Sequence, residues 1–295
     1  MARVHRVQPN MAGILGIIGG SGVYDVDGLL SVERIVVKTP YGAPSGAIIR
    51  GHLGDTTLLF VPRHGEGHRL SPTEVCYRAN ICALKMLGAE QVVSISAVGS
   101  LREEMAPGDV VVVDQYIDRT HRRIGTFFEG GVVAHVSLAD PVCPFLATAA
   151  ATSAKAVGAR VHERGTYVCI EGPQFSTRAE SNLFRAWGAD VIGMTAMPEA
   201  RLAREAELPY VTVAMVTDYD CWHRTAEAVS VEQVLAVLNR NVSVSHRLIA
   251  KLASELPDAT RSPAYRALTN AIISQASAMS EESQNSLRWL LEVRH

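Results

Sequence analysis

Seven short runs rich in apolar and β-branched residues, at 15–18, 57–62, 91–96, 109–114, 166–170, 190–193 and 210–216, punctuate this chain, and several are separated by stretches of helical pattern. This alternation is the strongest constraint on the fold. A strand, a covering helix and a further strand pack most simply as neighbours in a parallel layer. The pattern predicts an α/β protein with a mostly parallel sheet covered by helices. Helices are expected over 71–87, which opens Ser-Pro-Thr-Glu with Pro at the first helical position, and over 176–187, which opens with Ser176 and carries Glu180. Two more are expected over 199–206, after Pro198, and over about 230–252. Pro257 and Pro263 break the last of these, and a pair of short helices is expected to run on to Leu291. The piece after residue 255 is too small to fold alone. It is expected to pack on the main body or on a neighbouring subunit.

Composition narrows the functional classes. With 295 residues, 47% hydrophobic and 20% charged, the chain can bury a large core in one or two domains. A formal net charge of −2 and the lack of a Lys/Arg block argue against nucleic acid or an anionic membrane as partner. No apolar run approaches the ~18 residues needed to span a bilayer. Residues 1–10 are basic but are followed by only a short apolar run ending in Gly-Gly, so no secretory signal is read. Met11 is an alternative start that would make those ten residues a tail. The five cysteines, Cys76, Cys82, Cys143, Cys169 and Cys221, form no CxxC pair and sit largely in apolar stretches. A reduced, cytoplasmic protein fits them best.

The run from Tyr210 to Val216 continues as Thr217-Asp218-Tyr219-Asp220. On extended backbone the i, i+2 spacing puts both carboxylates on one side, and the carboxyl ends of strands in α/β sheets are where ligands bind. Two carboxylates this close push their pKa values apart, so one can hold a proton while the other stays ionised. Taken alone, the segment is equally readable as a solvated Asp-rich turn or a pair of metal ligands.

Other strand ends supply different chemistry. Gly19-Gly20-Ser21-Gly22 lets the backbone approach an anion, without the register of a dinucleotide fingerprint or the Lys of a P-loop. Arg63 and His64 offer a planar fork and a further donor. Ser96-Ala97 and Met194-Thr195 end two more runs. Each is commonplace singly, but four anion-suited strand ends are most simply accounted for by one phosphate site. Phe175, in Glu171-Gly172-Pro173-Gln174-Phe175-Ser176, adds a face for a flat ligand. A phosphate cradle, a stacking ring and a carboxylate pair suggest phosphorolysis of a nucleoside. His68, His121, His162 and His223 lack metal-ligand spacing, and no metal site is expected.

From about Ile14 to Leu252 the chain resembles the 5′-methylthioadenosine phosphorylase branch of the purine nucleoside phosphorylase superfamily. The resemblance rests on Gly19-Gly20-Ser21-Gly22, the stretch from Thr39 to Ser45, Arg63-His64-Gly65, the stretch from Glu171 to Glu180, Gly193-Met194-Thr195, and the stretch from Thr217 to Trp222. It implies a single-domain mixed central β-sheet flanked by helices over 12–254, with a small helical C-terminal extension over 255–295. It also implies that phosphate is held by Ser21, Arg63, His64, Ser96, Ala97 and Thr195, with Ser standing at 21 and 96 where the family often has Thr. Met194 would lie under the ribose, Phe175 on the base, and Asp218 and Asp220 at the purine N7 and 6-amino group as the catalytic pair. Ser176 and Val231 match positions linked to substrate choice, and His135 one that reaches the 5′ end of the substrate in an adjacent subunit. The implied assembly is a homotrimer or a dimer of trimers.

The implied reaction converts S-methyl-5′-thioadenosine and phosphate to adenine and 5-methylthioribose 1-phosphate, in purine and methionine salvage. No metal or organic cofactor is called for, phosphate being a co-substrate. An ionised Asp accepts hydrogen bonds but cannot donate them, so Asp at both 218 and 220 favours a 6-amino over a 6-oxo purine. Adenosine or 5′-methylthioinosine as substrate, a non-catalytic nucleoside binder and a hydrolytic nucleosidase are the competing readings.

Overall fold

Each of the seven apolar runs carries a strand, and four further strands lie where polar residues interrupt the pattern. The computed structural model describes residues 13–20, 22, 23, 26–223, 231–275, 277 and 279–292, the side chains of 231–236 and 238–240 excepted. The strands are Ile14–Gly19 (β1), Leu30–Ile35 (β2), Ile48–Leu53 (β3), Thr56–Pro62 (β4), Gln91–Ser100 (β5), Val110–Val112 (β6), Gln115–Arg119 (β7), Val161–His162 (β8), Thr166–Ile170 (β9), Val191–Gly193 (β10) and Tyr210–Tyr219 (β11). The helices are Tyr77–Met86 (α1), Pro144–Ala156 (α2), Arg178–Ala186 (α3), Ala196–Glu205 (α4), Val231–Ala253 (α5) and Glu281–Leu291 (α6).

All eleven strands form one mixed sheet. The main path runs β2-β3-β4-β1-β5-β10-β9-β7, and β11, β6 and β8 branch from it. β5 is the branch point. It pairs in parallel with β1 and β11, while its last residues pair antiparallel with β10. The central strands are buried on both faces, which is why β1, β5 and β11 read as nearly continuous apolar runs. α1 and α4 pack into the core on one face, through Ile81, Leu84, Ala200 and Leu202. α2 and α5 cover the other through Leu146, Ala150, Leu248 and Ile249. α3 closes a smaller cluster of Leu101, Val168, Phe184 and Ile192.

The tail joins the same body. Ala134 bridges Ile272, α6 lies against α1, and Trp289 packs edge-on against Phe127 at 5.0 Å and Tyr41 at 6.2 Å. In place of the expected pair of helices, the tail holds short 3-10 turns at Ala259–Arg261 and Pro263–Arg266 and then the single helix α6. The helix expected to open at Ser71 starts later. Glu74 Oε2 accepts from the Ser71 backbone N–H and hydroxyl, closing a separate turn before α1 begins at Tyr77.

Two local devices set the site's edges. α3 is capped by Thr177 rather than Ser176: the Thr177 side chain accepts from the Glu180 backbone N–H, and Glu180 accepts from Thr177 N–H at 2.7 Å. This reciprocal cap satisfies two otherwise orphaned donors and fixes where the chain after Phe175 turns. In β11 the register shifts between Val216, opposite Val98, and Asp218, opposite Gly99. The extra residue is Thr217, a bulge that moves the following side chains to the other face.

Thr177→Ala removes one half of the cap and is expected to lower stability by about 1 kcal/mol. Urea denaturation measures it. A loss below a few tenths would mean that the cap does not hold the start of α3.

Candidate active site

One cavity of about 580 Å³ opens at the carboxyl ends of β1, β4, β5, β9, β10 and β11. Those strands deliver to it Gly20, Arg63 with His64, Ser96 to Gly99, Ile170, Gly193 to Thr195, and Met215 with Thr217, Asp218 and Asp220 respectively. Of the residues expected from sequence, Arg63, His64, Ser96, Ala97, Phe175, Ser176, Met194, Thr195, Asp218 and Asp220 all line this space. Ser21 and the Val231 side chain lie outside the described residues. His135 lines a separate depression with Gly125, Phe128, Arg201 and Glu205, so it does not reach the chain's own cavity.

At one end stand hydroxyls and nitrogen donors. Ser96 Oγ lies 3.4 Å from Thr195 Oγ1 and 3.3 Å from the hydroxyl of Tyr167, which is fully buried. Thr195 is the N-cap residue of α4, yet its side chain makes no capping bond and instead meets Ser96 at the cavity wall. Gly193 has to be glycine, because a Cβ there would lie 2.0 Å from the Tyr167 hydroxyl oxygen.

Arg63 is only 2% exposed, and most of its planar fork is committed to the protein. Its Nε donates to Glu199 Oε2 at 3.0 Å and Nη2 to Glu199 Oε1 at 3.3 Å. Further bonds run from Nη2 to Ser94 Oγ at 2.6 Å and the Ile18 carbonyl at 3.2 Å, and from Nη1 to the Ile95 carbonyl at 3.0 Å. The second Nη1 hydrogen is what remains for a ligand, which revises the open fork expected from sequence. Burial works against the Arg63 charge, but Glu199 outweighs it and keeps the guanidinium protonated.

His64 Nδ1 lies 2.9 Å from the Leu70 carbonyl, and its ring stacks on His68 with centroids 4.2 Å apart. Burial, with Arg63 beside it, lowers the imidazole to about 4. His64 is therefore neutral near pH 7.

The carboxylate pair forms the opposite end. The β11 bulge turns Asp218 and Asp220 towards Gly99, where an added Cβ would lie 3.0 Å from Asp218 Oδ1 and 3.4 Å from Asp220 Cβ. The pair thus packs on bare backbone. Thr217 Oγ1 lies 2.7 Å from Asp218 Oδ2. Burial, with Asp220 nearby, raises the Asp218 carboxyl to about 6, and burial also raises Asp220. Asp220 is 4% exposed and its Oδ2 has no partner among the described residues. Phe175 remains 49% exposed above this space, an apolar face with little protein against it.

A model of the phosphorylase superfamily matches residues 14–254. The chain belongs to the phosphorylase superfamily. Its relatives in that superfamily include an S-methyl-5′-thioadenosine phosphorylase of Geobacter sulfurreducens, 50% identical over 94% of this chain and 97% of the relative. Another, from Cereibacter sphaeroides, is 55% identical over 83% of this chain and 85% of the relative. Among solved structures, a methylthioadenosine phosphorylase from an antarctic soil metagenomic library superposes with a TM-score of 0.89, at 48% identity and 95% and 99% coverage. The methylthioadenosine phosphorylase of Schistosoma mansoni in complex with adenine gives 0.78, at 36% identity and 83% and 93% coverage.

This phosphorylase-superfamily site also depends on residues that motif reasoning passes over. In the sequence Glu199 looks like a helix start after Pro198, Tyr167 like strand filling, and Arg123 belongs to no motif. The Arg123 side chain is 1% exposed. It donates to the carbonyls of Met194 at 2.7 Å, Met197 at 2.6 Å and Glu171 at 2.7 Å. Glu171 in turn accepts from the His121 and Arg122 backbone N–H groups and from Arg123 and Thr73. Burial opposes its charge, but these donors prevail and hold the carboxyl down at about 2. The two cavity-lining loops are thereby stitched together. A charged residue inside an otherwise apolar or loop segment is the available signal, at both 123 and 199. Asn241 of α5, which donates to the Val216 carbonyl at 3.2 Å, has no such signal.

Glu199→Ala leaves the Arg63 cation buried and unpaired, and should destabilise the fold by about 3–5 kcal/mol. The double substitution R63M/E199M should recover part of that loss. Equal stability of the single variant and the parent in urea titration would show that the pair does not matter.

Proposed function

We propose that this chain is an S-methyl-5′-thioadenosine phosphorylase. It takes S-methyl-5′-thioadenosine and inorganic phosphate to adenine and 5-methylthioribose 1-phosphate, serving purine and methionine salvage. The observation that carries this reading is the polarity of one cavity: hydroxyls, Arg63 and His64 at one end, two carboxyls raised by burial at the other, with Met194 and half-exposed Phe175 between them. The curated relatives named above support the substrate.

In this reading, phosphate lies against Ser21, Arg63 Nη1, His64, Ser96, the Ala97 backbone and Thr195. The ribose lies over Met194, and Asp218 and Asp220 face N7 and the 6-amino group. Cleavage of the N-glycosidic bond builds positive charge on the ribose and negative charge on the purine. A carboxyl that keeps its proton can hand it to N7, help worth on the order of 10²–10⁴ in rate. Oriented hydroxyl and amide donors hold the phosphate where it faces the developing oxocarbenium. No step needs a metal or an organic cofactor.

The 5′ pocket is completed across a subunit contact. Exposed Ile124 and Val133 lie on the segment that forms the His135 depression, which suits a face covered by another copy. A homotrimer or dimer of trimers, with residues 255–295 as an extension of the 12–254 catalytic domain, is the assembly we favour. No helix among the described residues is long and apolar enough to cross a membrane. The five cysteines are all free, in keeping with a cytoplasmic setting.

Adenosine is the second substrate to consider. A solved relative from Schistosoma mansoni, 37% identical, is described as an adenosine/methylthioadenosine phosphorylase, and the carboxylate pair reads the base rather than the 5′ group. An apolar 5′ pocket rejects a hydroxyl only modestly. Comparing kcat/KM for methylthioadenosine, adenosine and inosine with phosphate tests the reading. Methylthioadenosine should rank first and inosine last. Inosine as the best substrate, or adenine release without phosphate, would overturn it.

Two expectations follow from the carboxylates. Asp220→Asn supplies a donor, so the ratio of kcat/KM for methylthioadenosine over methylthioinosine should fall on the order of 100-fold or more. An unchanged ratio would remove Asp220 from base recognition. Because Asp218 holds its proton up to about pH 6, kcat/KM for the nucleoside should decline as pH rises through that value. A profile flat from pH 5 to 8 would mean that no such acid operates in the free enzyme.

A further inference from the structure

We propose that His64 reads the phosphate's own proton: with its hydrogen on Nδ1, its Nε2 accepts a hydrogen bond from the O–H of monoprotonated phosphate and so selects a protonated oxyanion. This rests on placing phosphate at the Arg63–His64 end of the cavity, as above.

Geometry fixes the tautomer. A carbonyl can only accept, so the 2.9 Å contact with Leu70 puts the hydrogen of the neutral ring on Nδ1. Nε2 then carries a lone pair, and it has no hydrogen-bond partner among the described residues. The groups that bear on the ring electrostatically are Arg63, Arg123 and the stacked His68, and each disfavours a second positive charge there. The neighbouring acids do not compensate. Glu199 is engaged by Arg63 and Glu171 by Arg123. Burial and these charges hold the imidazole near 4, in agreement with the geometry.

The co-substrate offers the matching donor. Hydrogenphosphate carries a proton that the sugar phosphate dianion does not, and the departing purine needs one. When the C1′–N9 bond breaks, its electron pair goes to the purine, and a phosphate oxygen supplies the pair for the new C1′–O bond. The phosphate O–H stays hydrogen-bonded to His64 Nε2, while a carboxyl of the Asp218–Asp220 pair gives its proton to N7. Afterwards the sugar phosphate monoanion releases its proton to water and the carboxylate regains one. The net change is one proton moved from phosphate to purine, with no other reactant. Ser96, Thr195 and Arg63 Nη1 remain as donors for the other phosphate oxygens.

A lone pair facing the anion also selects among anions. Sulfate has the shape and charge of hydrogenphosphate but no proton to give, so at pH 7.5 its oxygen meets Nε2 unpaired. Competition of sulfate against phosphate in the wild-type enzyme reads this directly. Sulfate should bind on the order of tenfold or more weakly than phosphate, and should tighten relative to phosphate as pH falls towards 4 and the ring becomes a donor. His64→Gln, whose amide can donate, should bring the two anions to within about threefold. Sulfate binding as tightly as phosphate to the wild type at pH 7.5 overturns the acceptor role while leaving the site in place. A folded His64→Gln enzyme with unchanged phosphate affinity and unchanged kcat would instead show that phosphate does not reach His64, and the site itself would be misplaced. The sulfate comparison needs no variant, so it decides the matter even where His64→Gln fails to fold.

Discussion

The buried ion pair between Arg63 and Glu199 is the interaction on which the rest of the site depends. It joins the end of β4 to the first turn of α4, and its secondary bonds reach the Ile18 carbonyl of β1 and Ser94 and the Ile95 carbonyl of β5. Tyr210 at the start of β11 closes the set by donating to Glu199 Oε1 at 2.8 Å. Five elements are thus tied by one guanidinium and one carboxylate. Such a pair gives modest net stability against an apolar replacement, since both charges lose their hydration. Its contribution is positional. The planar fork admits few arrangements, so the strand ends that carry His64, Ser96 and Thr195 are held at fixed separations.

At the carboxylate end of the cavity the constraint is steric instead. β5 has to leave β1 and turn towards β10 while staying paired with β11. The Thr217 bulge absorbs the mismatch and swings the next two carboxylates into the cavity, and only glycine at position 99 leaves room for them. The same burial that this close packing produces removes water from Asp218 and Asp220, and that desolvation lifts their carboxyls. Fold geometry and protonation state therefore have one cause.

The sequence disclosed these parts unequally. Strands buried on both faces were legible because a short, continuous, β-branched apolar run can satisfy its backbone and hide its side chains in few ways besides a central strand. The strand ends then pointed to most of the cavity-lining residues. β2 was not legible, because Leu-Ser-Val-Glu-Arg-Ile forms an almost wholly exposed edge strand with no buried face to mark it. α2 was missed for a different reason: its Ala-rich sequence gives weak contrast between buried and exposed faces. Motif reading found groups at strand ends but not the groups that hold them. Glu199, Arg123 and Tyr167 act through contacts 136, 71 and 71 residues away in the chain, to Arg63, Met194 and Ser96. No local pattern encodes such pairings. The Arg63 fork illustrates the point, since its residue type suggested an anion ligand while its partners showed where most of its donors go.

These partnerships leave the cavity electrically quiet. Arg63 is offset by Glu199 and Arg123 by Glu171. The titratable groups that remain, His64, Asp218 and Asp220, are each biased by burial towards the uncharged form. In the proposed reaction, a phosphate dianion entering such a space gives up water for hydroxyl and amide donors but meets little net positive charge. Its ground state is therefore not overly stabilised. When the glycosidic bond stretches, the ribose becomes cationic beside that dianion, in surroundings of low polarisability where the attraction is much stronger than in water. On the same proposed placement the purine gains negative charge beside a carboxyl able to protonate it. Both changes are favoured only as the transition state develops, which is the condition for binding energy to appear as rate rather than as affinity. A permanently cationic cradle would hold phosphate more tightly and lose part of that difference.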